Sequence, residues 1–204
     1  STTNSLYTFK VTNPDPSRDL VMKKVSFSVA TSGNFVLTQF ILYGDGVAAN
    51  AAVNAAVIRT AGATTLDTVE IRFNGTSSTT AASIVPAGGS KTYELKGTTI
   101  TTAGSQITDS VDLALLRDTA YPSCALLMCK ISTIDAQKIA SGGAATTTAY
   151  VIWSPFSTTS PVASVATEDN LDWTNSYGIP FVTTSGTLLP PTQDMPAQRS
   201  SVSR

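Results

Sequence analysis

Short segments in which apolar and polar side chains alternate recur along the chain, and they restrict it to folds built from β-strands. In LYTFKVTN, Tyr7, Phe9 and Val11 fall on one face of an extended strand, and Thr8 and Lys10 fall on the other. The segments KKVSFSVAT, DTVEIRFNG and SQITDSVDLALL repeat this pattern. A period of two residues is the spacing at which a strand turns one face to a core.

Turn residues separate these segments and divide the chain into roughly eight to ten short strands. We therefore predict an all-β fold, an antiparallel β-sandwich of the immunoglobulin-like or jelly-roll-like kind. Residues 1–189 are predicted to form a single sandwich domain. Residues 190–204, PPTQDMPAQRSSVSR, carry few apolar side chains and are predicted to form an extended or disordered tail.

The side-chain inventory argues against catalysis. The 204 residues include no histidine, which removes Ser-His-Asp and Cys-His mechanisms and most zinc sites. No phosphate-binding glycine motif is found. The only glutamates are Glu70, Glu94 and Glu168, and the first two fall at outward positions of alternating strands. We predict that the protein is not an enzyme and holds no cofactor and no metal.

Charge and composition point to the cell exterior. The formal net charge is −1, only 13% of the residues are charged, and more than a quarter are Ser or Thr. A cluster of Lys and Arg that would suit nucleic acid is missing, and so is an apolar run long enough to span a membrane. A hydroxyl-rich, charge-poor surface is typical of secreted and surface-assembled β proteins, so we predict an extracellular or cell-surface location.

The two cysteines, Cys124 and Cys129, leave two interpretations open. They form a disulfide in an oxidising compartment, or they are two buried thiols. In a straight strand they would point to opposite faces and lie too far apart to bridge, so a disulfide requires a bend or bulge.

Both tryptophans of the chain bound one Ser/Thr-rich segment, YVIWSPFSTTSPVASVATEDNLDWTNSYGIP. Trp153 and Trp173, together with Tyr177, support three hypotheses. The aromatic side chains close one end of the sandwich, with nearby Asp and Asn side chains bonding local backbone, or they form a platform on which sugars stack, or they contact a neighbouring subunit.

The motifs VIWSP and DWTNSYGIP resemble the C-terminal pattern of cell-surface proteins from bacteria of the candidate phyla radiation, the Patescibacteria. The upstream segments LYTFKVTN, FILYGDG and IVPAGGSKTYELKG are similar in style, so the resemblance covers most of residues 5–182. The chain departs from the pattern at Pro155, Ser176 and Phe181. The resemblance implies an extracellular β-sandwich of the surface-layer or filament type, and it implies no activity.

The leading functional hypothesis is a structural subunit that polymerises with itself into an extracellular, pilus-like filament or a surface layer. Exposed sheet edges can be completed by a strand from a neighbouring subunit, and such head-to-tail contacts produce open filaments. Residues 1–13 are the candidate donor strand, through Leu6, Tyr7, Phe9 and Val11. The competing donor is the C-terminal set Ile179, Phe181, Leu188 and Leu189. For either segment, pairing within its own chain is the simpler alternative.

Two other functions stay open. The chain could be a cell-surface adhesin or carbohydrate-binding module that contacts a surface glycan through the tryptophan segment. A virus-like capsid protein is the third hypothesis, because jelly-roll sandwiches are also threonine-rich.

Overall fold

The alternating segments form strands, and their apolar faces meet between two antiparallel sheets. A computed structural model describes residues 2–33, 35–49, 68–73, 82–101, 109–118, 150–154, 174–190 and 193–201. Within these ranges there are eleven strands and no helix, which confirms the predicted all-β sandwich. The strands are β1 (Thr2–Thr12), β2 (Leu20–Ser32), β3 (Phe35–Gly44), β4 (Val47–Ala49), β5 (Thr68–Arg72), β6 (Ile84–Val85), β7 (Ser90–Thr101), β8 (Ser110–Leu115), β9 (Ile152–Ser154), β10 (Thr174–Asn175) and β11 (Gln198–Ser201).

The two sheets differ in how their strands are arranged. The first has four strands in the order β1-β7-β3-β4, and the second has seven strands around the long central strand β2. Strands β5 and β6 pair with one edge of β2, while β8 and β9 pair with the other edge. Strand β10 extends the second sheet beyond β9, and β11 extends it beyond β8.

Aromatic side chains from both sheets form the centre of the core. The ring of Phe9 stacks on Tyr93 at 5.1 Å between centroids, and Tyr7 contacts Phe27 of the opposite sheet at 5.4 Å. The ring of Phe73 packs edge-on against Tyr93 at 5.7 Å. The Tyr7–Phe27 and Phe73–Tyr93 contacts join the two sheets, whereas the Phe9–Tyr93 stack lies within the first. Tilted and stacked rings at such distances contribute stabilisation beyond the apolar area they bury.

The outer face of β2 is not solvated at its centre. Alternation predicts that Lys24 and Ser26 face solvent, yet they are 4% and 1% exposed. The ammonium of Lys24 lies 2.7 Å from a carboxylate oxygen of Glu70 on the neighbouring strand β5. Burying a charged side chain without a partner is costly, so this ion pair accounts for the burial of Lys24.

The C-terminal segment contributes a strand that the sequence analysis did not foresee. Residues 198–201 pair with β8 in the antiparallel register Gln198↔Leu113 to Ser201↔Ser110. On the outer side, the guanidinium of Arg199 forms two hydrogen bonds with the carboxylate of Asp112, at 2.8 and 3.0 Å. Among the described strands, β11 is therefore an edge strand of the second sheet.

Candidate functional site

Strand β1, which contains the candidate N-terminal donor residues, is an edge strand of the first sheet. Among the described residues its only sheet partner is β7, with which it forms ten register pairs from Thr2↔Thr99 to Thr12↔Ser90. Leu6, Tyr7 and Phe9 are 2%, 1% and 7% exposed, and Val11 is partly buried against the same core. The candidate donor strand therefore lies in its own chain, filling its own sandwich.

A bulge in β1 allows two consecutive side chains to point inward. The register shifts between Ser5 and Tyr7, so Leu6 and Tyr7 are both buried. Leu6 lies over Gly97 of β7, where an added Cβ would come within 2.6 Å of the Leu6 Cδ1 atom. Glycine at position 97 therefore provides the space that Leu6 occupies.

The free edge of β1 is covered by side chains of β11. The backbone N–H of Thr8 donates to Gln198 Oε1 at 2.9 Å, and Gln198 Nε2 donates to the carbonyl oxygen of Thr8 at 2.7 Å. The Ser200 hydroxyl donates to the carbonyl oxygen of Ser5 at 3.0 Å. These bonds satisfy backbone groups that an edge strand would otherwise present to solvent or to another chain.

The segment between β1 and β2, residues 13–19, crosses from the first sheet to the second. Asn13 is 4% exposed, and its amide nitrogen donates to the Arg18 carbonyl oxygen at 2.7 Å. The Asn13 backbone N–H donates to Gly89 O at 2.9 Å, and Gly88 N–H donates to Asp15 O at 2.7 Å. The backbone bends at residues 16–18, where the Ser17 N–H donates to Asp15 Oδ1 at 2.8 Å, and Pro14 and Pro16 fix φ at their own positions.

The competing C-terminal donor residues lie in a small hairpin. Val182 and Leu188 form an isolated antiparallel bridge, and Leu189 N–H donates to Phe181 O at 2.8 Å. Phe181 and Leu189 are 8% exposed and join the core, and Ile179 packs against it, whereas Leu188 is 64% exposed. Only part of this predicted set is therefore buried.

Arg117 fastens this hairpin to the end of β8. Its guanidinium donates to Pro190 O at 2.7 Å and to the carbonyl oxygen of Ile179, and it lies 4.5 Å above the ring of Phe181. Burial lowers the pKa of the guanidinium, and the nearby carboxylate of Asp194 opposes that shift. The Arg117 Nε atom has no hydrogen-bond partner among the described residues.

Asp118 binds backbone from two distant segments. Its carboxylate is buried and accepts hydrogen bonds from the N–H groups of Tyr150 at 2.5 Å, Val151 at 3.1 Å and Ser176 at 3.0 Å. The Ser176 hydroxyl donates to the same carboxylate at 2.8 Å. The Asp118 N–H donates back to that hydroxyl at 2.9 Å. One side chain thus connects the end of β8, the start of β9 and the turn after β10.

In the described part of the tryptophan segment, side chains bond neighbouring backbone. Trp153 is partly buried against the core, and its indole N–H donates to the Asn175 carbonyl oxygen at 2.9 Å. The Asn175 side chain accepts the N–H of Tyr177 at 3.0 Å and shapes the turn there. Tyr177 is 50% exposed, and Tyr150, which also flanks Asp118, is 40% exposed. The two tyrosines are therefore accessible at one end of the sandwich.

Sequence reasoning did not identify Arg117, Asp118 or Gln198. The adjacent charges Arg117 and Asp118 follow strand β8 after one residue, Leu116, in a chain that has few charges, and that signal was available. Gln198 gives no such signal, because its role depends on the pairing of β11 with β8.

Several predicted residues cannot be placed. Trp173 and the cysteines Cys124 and Cys129 lie outside the described residues. Within the described ranges, no group of His, Cys, Asp and Glu side chains is arranged to hold a metal ion. Among the same residues, no helix is long and apolar enough to cross a membrane.

Comparison with known proteins gives no relative. No protein-family model matches the chain, and no curated protein or solved structure is significantly similar to it. The resemblance to surface proteins of the candidate phyla radiation therefore stays a prediction.

Proposed function

We propose that this chain is a structural subunit of an extracellular, pilus-like filament or surface layer, and that it assembles head-to-tail by donating strand β1 to the next copy. The observation that carries the proposal is the position of β1. It is an edge strand at the N-terminal side of the chain, it pairs only with β7 among the described strands, and it supplies Leu6, Tyr7 and Phe9 to the core.

The energetics favour a second copy as the source of the replacing strand. Exposing three large buried apolar side chains costs roughly 5–9 kcal/mol, which is comparable to the whole stability of a domain. A groove without β1 must therefore be refilled. The β1 strand of another copy restores every contact that β1 makes in its own chain. Exchange therefore changes which chain supplies the strand and keeps the same contacts.

The connection between β1 and β2 is suited to this exchange. In the closed chain this connection bends at residues 16–18, and Asn13 Nδ2 donates to Arg18 O across it; once drawn out straight, residues 13–19 span roughly 20 Å. That reach allows β1 to leave its own sandwich and enter a neighbouring one. The charge-poor, hydroxyl-rich composition favours an extracellular location for the polymer.

A disulfide trap tests the proposal. Both backbone groups of Thr8 face β11, so the pair Thr8↔Glu94 is of the non-hydrogen-bonded type, with Cα atoms about 4.5 Å apart and within reach of a disulfide. The variant Thr8→Cys/Glu94→Cys is made with Cys124→Ser and Cys129→Ser, allowed to assemble, oxidised, and run on a denaturing gel without reductant. We expect a covalent ladder, because each disulfide joins two copies.

A matched pair of cysteines serves as the control. Ser28 of β2 faces Ala114 of β8, and both strands stay in one chain under any form of β1 exchange. The variant Ser28→Cys/Ala114→Cys, in the same background, is therefore expected to give only monomers. If the β1 pair also gives only a compact monomer band, the donation of β1 is wrong. Electron microscopy of the same samples shows whether the ladder corresponds to filaments or sheets.

A second candidate function rests on the two exposed tyrosines. Tyr150 and Tyr177 lie on either side of the Asp118 hydrogen-bond cluster, and exposed aromatic rings stack on sugars. A carbohydrate-binding module or adhesin would use this end of the sandwich. Under that function, Tyr177→Ala abolishes binding on a glycan array and leaves the melting temperature unchanged. Equal array signals for the variant and the parent protein would remove this candidate.

A further inference from the structure

We propose that strand β11 is the second wall of the groove that receives β1, residues 2–12 of a second copy, and that Gly97 sets the register of the incoming strand while Gln198 binds its backbone. This inference rests on the proposed function, since it names the partner of the exchanging strand. The contacts that carry it are present in the closed chain, where β1 itself occupies the groove.

The Gln198 side chain binds the backbone of β1 in the way a neighbouring strand would. A primary amide carries a donor and an acceptor side by side, and Gln198 directs them to the carbonyl oxygen and the N–H of Thr8, at 2.7 and 2.9 Å. Gln198 lies opposite Leu113 on β8, and side chains of directly opposed residues lie on the same face of a sheet. Because the Leu113 side chain is buried, the Gln198 amide also points inward, toward β1. The next residue, Arg199, points outward to Asp112.

Gly97 specifies a second position of the incoming strand. The space above this glycine is filled by Leu6, whose Cδ1 atom lies 2.6 Å from the position a Cβ would occupy. A shift of β1 by one residue would turn its apolar side chains to solvent. A shift by two residues would remove Leu6 from Gly97, although the backbone of another residue would then face Gln198. Gly97 therefore sets the register of the donor, and Gln198 holds the donor backbone at Thr8 in that register.

The donor that satisfies both positions is β1 of an identical chain. It carries the bulge between Ser5 and Tyr7, which brings Leu6 inward, and the buried rings of Tyr7 and Phe9. An unrelated extended strand would satisfy Gln198 through its backbone, but it would leave the space over Gly97 empty or overfilled. The groove is thus selective for copies of this chain.

The experiment uses the full chain and a fluorescent synthetic peptide of residues 2–12. A second peptide is N-methylated at Thr8, which removes the N–H that Gln198 accepts. A control peptide is N-methylated at Lys10, two residues along the same edge. We expect the Thr8 modification to weaken uptake by the parent protein about tenfold relative to the Lys10 modification, which is the size expected for a lost hydrogen bond in a closed site. The difference is expected to vanish in Gln198→Met. If it persists there, or if the two modified peptides bind the parent protein equally, the role of Gln198 is wrong.

Amide hydrogen exchange separates a failure of this inference from a failure of strand exchange. In the full chain without peptide, Gln198→Met is expected to speed exchange at the Thr8 amide about tenfold. Arg199→Ala, on the same strand but facing away from β1, is expected to leave it unchanged. If the protein takes up no peptide but the Thr8 amide exchanges faster in Gln198→Met, strand donation is wrong and the recognition of β1 by Gln198 stands. Unchanged Thr8 exchange in Gln198→Met refutes that recognition, whether or not the protein polymerises.

Discussion

Replacement of Asp118 by asparagine should destabilise the protein far more than its conservative chemistry suggests. The carboxylate accepts four hydrogen bonds, from the N–H groups of Tyr150, Val151 and Ser176 and from the Ser176 hydroxyl. An asparagine amide keeps only one acceptor oxygen. Whichever way the amide is turned, its NH2 group faces at least one N–H donor that the carboxylate oxygen satisfied.

The magnitude follows from the two orientations of the amide. With its nitrogen at the position of Asp118 Oδ1, the amide loses the bond from Tyr150, and with its nitrogen at Oδ2 it loses those from Val151 and Ser176. The first orientation costs less. Hydrogen bonds to a charged group contribute about 1.5–3 kcal/mol each, so we expect Asp118→Asn to lower the free energy of unfolding by about 2–3 kcal/mol. Asp118→Ala orphans all the donors and should cost roughly 4 kcal/mol.

Urea unfolding of the purified variants measures these values, and Asp112→Asn is the matched control. Asp112 lies within β8, and its pair with Arg199 is solvent-exposed, so its replacement should cost less than about 1 kcal/mol. A double-mutant cycle with Ser176→Ala should show strong coupling to Asp118 and none to Asp112. If Asp118→Asn is no more destabilising than Asp112→Asn, the carboxylate does not hold these segments together.

Three further outcomes are expected. Gly97→Ala should lower the free energy of unfolding by about 1–3 kcal/mol in urea, because the new methyl group would collide with a buried leucine; an unchanged midpoint would refute the close packing. The Arg199 hydrogen bond holds the pKa of Asp112 below the ordinary value of an aspartate, so the stability it contributes is present above that ordinary pKa and lost as the pH falls through the folded pKa. In urea titrations between neutral and acid pH, Asp112→Asn should remove that small dependence, and an identical pH profile would count against the pair. Burial raises the pKa of Tyr93 above the ordinary value of a tyrosine, so its contribution to stability is present below that ordinary pKa and lost as the pH rises beyond it, and the near-ultraviolet phenolate signal of Tyr93 should appear only together with unfolding.

The apolar periodicity predicts the main strands of the fold, because every second residue of a sandwich strand faces the core. The inward sets Tyr7 and Phe9, and Val25 and Phe27, are buried as the alternation requires. The same rule fails at Leu6, where a bulge turns an additional side chain inward. A bulge depends on the partner strand as well as on local sequence, and here the partner supplies Gly97.

Strand β11 escapes sequence analysis for a different reason. Its inward side chains, Gln198 and Ser200, are polar, because they bond the backbone of β1 instead of filling the core. A segment with polar residues on both faces has no hydrophobic period and resembles a disordered tail. The role of Asp118 is hidden for a related reason, since its donors come from Tyr150 and Ser176, far along the chain.

The antiparallel contact between β1 and β11 also has a topological consequence. Because Thr8 bonds Gln198 and Ser5 bonds Ser200, the two strands run side by side as the arms of a hairpin without a loop. A short peptide joining residue 201 to residue 2, with the chain reopened within residues 13–19, would give a circular permutant with the same neighbours throughout. In that permutant a short peptide would tether β1 to strand β11 of its own sandwich, the strand it already contacts there, so the linkage would favour the closed monomer over exchange between copies.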